Sequence, residues 1–188
     1  MHGSRAPRST VGDRGSQIVE FAITVPLLVV FAVGIYDFAQ AFNVKEKLNF
    51  AAKDGARFGA TQPTNDLSQN TPLSVMAIRD LVDADLIAQG MNDCGLSQIQ
   101  QQSGLVWTAT GQCQNNSTGT VTTLTLTIDR GFVTPPASAF EPWLISTRVS
   151  ISYPYQWHFN SAIQLIAPGA GFAGTTPITI DAVALNHD

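Results

Sequence analysis

Residues 14–42 read RGSQIVEFAITVPLLVVFAVGIYDFAQAF. From Phe21 to Tyr36 no side chain carries charge, and apolar character reaches back to Ile18 and resumes after Asp37 with Phe38, Ala39, Ala41 and Phe42. At about 1.5 Å of rise per residue, the roughly 20 residues that cross a ~30 Å hydrocarbon layer are present from Gln17 onward. The stretch predicts a membrane-spanning helix over 17–42. Past Phe42 the small residues Ala51, Gly55 and Gly59 recur every four positions beside a parallel row of Ala52, Ala56 and Ala60, a spacing that lets another helix or a sheet approach closely. Ala-rich helix propensity alone gives the same rows. The helix is expected to continue to residue 60 and to stop before Gln62-Pro63-Thr64-Asn65, a cluster of breakers.

Charge is distributed around this segment in three unlike parts. The 188 residues carry 13% charged side chains and a net charge of -4. Residues 1–15 hold Arg5, Arg8, Arg14 and Asp13, a net +2; residues 16–42 hold only Glu20 and Asp37; residues 43–188 hold 7 basic and 11 acidic side chains. A basic leader before an apolar run places the N-terminus in the cytoplasm by the positive-inside rule and the remainder outside. An apolar content of 44% argues against disorder. The absence of a Lys/Arg cluster argues against a nucleic-acid surface.

Glu20 does not fit a plain anchor. A carboxylate in the first turn of a membrane helix costs about 2.5–3.5 kcal/mol on insertion scales, so it calls for a partner or a task. A cut between Gly15 and Ser16 would create an ammonium group four residues before Glu20. The carboxylate could then pair with the amino terminus of a neighbouring subunit and set the register of an assembly.

These residues resemble the processing site of type IV pilin precursors: a short basic leader ending in Gly15, then Ser16, with Glu20 as the fifth residue after the cut. The continuation VEFAITVPLLVVFAVGIYDFAQAF, with LNFAAKDGARFGA after it, is similar to the TadE-like pseudopilins, minor pilins of the Flp or tight-adherence (Tad) pilus system. Pro26, Gly34 to Phe38 and Ala51 to Arg57 fall where that family has them, as does RVSISYPY near the C-terminus; the stretch from about Thr61 to Gln114 carries no family pattern. The resemblance implies a non-enzymatic assembly protein cut by a prepilin peptidase. It would sit in the inner membrane with a periplasmic or extracellular C-terminal domain and become pilus-associated. Its implied partners are the major pilin, a second pseudopilin, the Tad secretion platform and membrane lipid. A secretory signal peptide ending at Ala39-Gln40-Ala41, or a permanent anchor with Glu20 at the interface, is the alternative, and would make the chain a periplasmic binding module outside any pilus.

Beyond the helix, three segments are expected: a leader over 1–15, the helix over 16–60 and an outer α+β domain over 61–188. Thr71-Pro72 reads as an N-cap and first turn, opening a helix with Val75, Ile78, Val82 and Leu86 on one face and Gly90 as its stop. Asp80, Asp83 and Asp85 lie mostly off that face; their spacing lacks the glycine turn and distal Glu of a calcium loop, so a solvated surface is expected. Strands are predicted at Leu105–Ala109, Thr123–Asp129, Val149–Tyr155 and Ile178–Ala182, with Pro154 confined to a sheet edge or strand end. The fold class is therefore α+β, a long helix and a second one with an antiparallel sheet of three or four strands.

Cys94 and Cys113 fit a disulfide in an oxidising compartment, with two buried free thiols as the other reading. Neither these cysteines nor His2, His158 and His187 have the spacing of a metal site or catalytic triad, and Gly169 to Gly174 lacks the strand-turn-helix setting of a phosphate loop. No cofactor is expected. Between Gln156 and Ile180 no side chain is charged, and Trp157, Phe159, Ile163, Leu165, Ile166 and Phe172 form an apolar group there. It reads either as a partner or membrane surface or as a short core helix.

Overall fold

The computed structural model describes residues 12–114, 120–135, 143–158 and 174–186. Two helices, α1 (Gly12–Ala60) and α2 (Leu73–Ala88), precede five strands, β1 (Gln100–Ser103), β2 (Val106–Gln114), β3 (Val121–Thr134), β4 (Leu144–Gln156) and β5 (Thr175–Leu185). This is the expected α+β fold, with five strands among the described residues in place of three or four. The additional one is β1. Its four residues QQQS are all exposed and lack the apolar alternation by which strands are read; its pairing to β2 alone defines it.

The chain forms two compact units. One comprises Met1–Ala39 and Trp157–Gly174, the other Gln40–Gln156 and Thr175–Asp188. In the first, α1 is the principal element, and the most apolar 18 residues of its Gln17–Ala60 portion have no buried share. Such a run is long and apolar enough to cross a membrane.

In the second unit the sheet is a meander, each strand antiparallel to its sequence neighbour in the order β1-β2-β3-β4-β5. One face is apolar. Leu124, Leu126 and Ile128 of β3 and Val149 and Ile151 of β4 are buried beneath Leu48, Ala51, Ala52 and Ala56 of α1 and Val75, Ile78, Val82 and Leu86 of α2. The opposite face pairs Thr125 with Ser152 and Thr127 with Ser150, the apolar-in, polar-out alternation of a sheet covered on one side. Pro154 is a strand end as far as β3 is concerned, whose pairing stops at Thr125–Ser152. On the β5 side it faces Pro177; neither has an N–H, which suits a non-hydrogen-bonded position of the ladder.

The ends of α2 are held by residues distant in sequence. Its N-cap position is Pro72, which has no side chain to cap with, so the cap expected from Thr71 moves elsewhere: Asp66 accepts both the Ser74 N–H and the Ser74 hydroxyl at 2.8 Å. A carboxylate there also complements the helix dipole. At the other end Gly90, at φ 69°, donates to the Ile87 carbonyl and Met91 donates to Leu86, the paired bonds of a Schellman motif. Lys47 of α1 donates to the Gln89 carbonyl at 2.7 Å.

The loop after α1 is pinned from the sheet. Trp107, fully buried, donates its indole N–H to the Asn70 carbonyl. Arg130, also buried, donates through one terminal nitrogen to the carbonyls of Gln62 and Pro63 and through the other to the Thr147 hydroxyl. It sits at a bulge between Asp129 and Phe132, where a sequence reading registers only a strand end.

Candidate functional site

The residues with sequence-assigned roles fall at four places. The first is the N-terminal part of α1. The helix begins at Gly12, several residues before the expected start, so the Gly15–Ser16 bond is helical. Gly15 is exposed, and a Cβ added there would meet nothing within 4 Å. Packing among the described residues thus places no demand for glycine at this position. Glu20 is exposed, its backbone carbonyl accepting the Thr24 hydroxyl at 2.8 Å. The helix continues through Pro26, which denies the Ala22 carbonyl its usual amide donor.

The second place is the other end of the same unit. Asp37 is 1% exposed, and His158 Nδ1 lies 3.1 Å from Asp37 Oδ1. One residue along, Phe38 and Trp157 meet edge to face with ring centroids 5.4 Å apart, a favoured aromatic geometry. The Trp157 N–H donates to the Gly174 carbonyl at 3.0 Å. Of the apolar group, only Trp157 belongs to the described residues; Phe159, Ile163, Leu165, Ile166 and Phe172 lie outside them. The tie between Asp37 and His158 has no signal in the sequence, because 121 positions separate them.

Third are the small-residue rows. Ala51, Ala52, Gly55, Ala56 and Gly59 are all buried, and they are covered by the chain's own elements. A Cβ on Gly55 would lie 2.6 Å from Val82 of α2, and one on Gly59 would lie 2.7 Å from Thr147 of β4 and 2.9 Å from Ile78. The side of this region left open carries Phe42 and Phe50.

Fourth is the bonded pair Cys94–Cys113, with Cα atoms 4.5 Å apart. Cys94 adopts φ 55° and Gly95 φ 63°, a left-handed pair fixed by two side-chain turns: Asn92 Oδ1 accepts the Cys94 N–H and Asp93 Oδ2 accepts the Gly95 N–H. The segment crosses β2 over Gly111, where a Cβ would lie 2.9 Å from the carbonyl oxygens of both Asp93 and Cys94. Gly111 is a site that sequence reading missed. The nearby acids are also less wet than expected. Asp80 is open and pairs with Arg79 at 2.8 Å, but Asp83 and Asp85 are half-buried, each with one oxygen shut away from partners. Desolvation pushes the carboxyl of Asp83 above its ordinary range, aided by the neighbouring charge of Asp93, and that of Asp85 likewise, aided by Asp54.

Comparison with curated proteins and with solved structures returned no match. A family model does match: the TadE-like protein model covers residues 15–57. The matched span begins on Gly15, takes in Glu20 and the whole apolar run, and ends within the small-residue rows. Over that segment the chain is similar to TadE-like proteins, which supports a pilin-related protein of the Tad system.

Proposed function

We propose that the chain is a minor pilin made as a precursor, cut by a prepilin peptidase between Gly15 and Ser16, and assembled into a Tad-type pilus as an initiating or tip subunit. The observation that carries the reading is where the family match starts: on the residue before the proposed cut, with Glu20 fifth after it. The open surroundings of Gly15 support a role in recognition by another protein, since nothing among the described residues requires a glycine there. The mature subunit waits in the inner membrane with its sheet unit outside. On extraction, Glu20 pairs with the Ser16 ammonium of a neighbouring subunit, an interaction strengthened by the low dielectric of an apolar bundle. The protein has no catalytic role in this scheme; its work is positional.

The mature N-terminus decides the matter. Mass spectrometry of the membrane-extracted protein is expected to find Ser16 first; a chain starting after Ala41 would mean a signal peptide, and an intact Met1 a permanent anchor. Substituting Gly15 should block the cut. Glu20→Ala should leave cutting intact and reduce incorporation into pili, and normal incorporation would refute the register role.

A further inference from the structure

Below the end of α1 the second unit has an open cleft of about 480 Å³, within the range that takes small ligands. Among the described residues its walls are Leu67, Leu105 and Ile145, and the polar groups facing it are Thr64, Ser68 and Asn186. Arg130 lines it too. This guanidinium is 1% exposed and is bonded to neutral oxygens, two carbonyls and a hydroxyl. Its Nε–H is buried with no partner among the described residues. Among the described residues Asp66 is the acid whose field reaches it, but both Asp66 oxygens are engaged by Ser74. Burial pulls the Arg130 affinity for its proton below the ordinary value, the sign of a cation whose desolvation is not offset.

We propose that this cleft binds a carboxylate carried on an apolar body, the chemistry of a peptide C-terminus. A carboxylate matches the planar fork of an arginine better than any other common anion apart from phosphate, and the three aliphatic walls favour an apolar last side chain over a phosphate ester. The rim continues the apolar character: Ile145 is 61% exposed and its cross-strand neighbour Val133 is 48% exposed. Thr64, Ser68 and Asn186 supply donors and acceptors for a peptide backbone beside the carboxylate. The site is independent of whether the Gly15–Ser16 bond is cut.

The test uses the full chain in lipid nanodiscs and a fluorescently labelled hexapeptide ending in Val-Leu, read by anisotropy. The peptide with a free carboxylate is expected to bind, and the same peptide as its C-terminal amide about tenfold or more weaker, the loss of one charge-assisted contact. Hexanoate, added as competitor, separates the two sources of this chemistry: weak displacement assigns the site to peptide ends, displacement as strong as the unlabelled peptide's assigns it to free acids. Arg130→Met should abolish binding. Because that change also removes the pin on Gln62 and Pro63, Ile145→Glu provides the second arm: the position is exposed, and a carboxylate placed at the mouth should compete with the peptide and weaken it by at least about tenfold. Equal binding of acid and amide, no binding of the acid, or unchanged affinity in a folded Ile145→Glu protein overturns the proposal.

Discussion

Gly55 of α1 and Val82 of α2 approach so closely that a single methyl on the glycine would sit 2.6 Å from the valine Cγ2. The contact sets how near the two helices lie, and it also faces Val149 of β4 at 3.7 Å. Gly55→Ala is expected to destabilise the unit by about 1–3 kcal/mol through overpacking. Adding Val82→Ala, which removes the clashing carbons, should recover part of the loss. Denaturant melts of the two single variants and the double variant measure the coupling; strict additivity would contradict the close contact.

At Gly111 the obstacle is backbone. The carbonyl oxygens of Asp93 and Cys94 stand 2.9 Å from the position of an added Cβ, and the bond between Cys94 and Cys113 fixes that crossing. Gly111→Ala should therefore cost more than Gly55→Ala and should slow oxidation of the pair, measured by thiol trapping during refolding. Cys113→Ser should lose about 3 kcal/mol, the value expected for closing a loop of this length.

Asp66→Ala removes the acceptor for two donors of Ser74. A loss of about 1–2 kcal/mol is expected, and Thr71→Ala should be nearly silent because Thr71 is not the cap. Thermal melts of both variants distinguish a cap built from Asp66 from one built locally.

The pH dependence follows from Asp83 and Asp85. Their carboxyls, desolvated by burial, hold protons more tightly in the folded protein than an ordinary aspartate with its pKa near 3.8 does, so the folded state binds more protons than the unfolded one above that pH. Stability then falls as pH rises from 3.8 toward their raised folded values and stays lowered beyond them. Asp83→Asn and Asp85→Asn should raise the melting temperature at neutral pH and have little effect well below pH 3.8. A gain equal at both pH values would show that ionisation is not the cause.

The sequence carried the elements whose side chains follow one period. α1 was legible from its uncharged run and small-residue spacing, α2 from Val75, Ile78, Val82 and Leu86, and β3 from the alternation of Leu124, Leu126 and Ile128, all of which are buried. What pattern could not deliver was pairing across distance. The small rows announced a close neighbour without saying that it would be the chain's own Val82 and Thr147. The cap by Asp66, the pin by Arg130 and the tie between Asp37 and His158 each join residues that no local period relates. β1 escaped because a strand of glutamines has no inward face to mark it.

The meander has a consequence for how the molecule is made. Strands that follow one another in the chain can pair as they emerge, so the sheet needs no distant segment to start. The glycine seat on α1 is different: Val149, which helps fill it, lies 94 positions after Gly55. Until β4 is made, the alanine and glycine surface of residues 51–60 has α2 to pack on it but lacks the cover of Thr147 and Val149. A newly made subunit therefore passes through an interval in which part of that surface is open to other helices, and completion of β4 is the event that closes it.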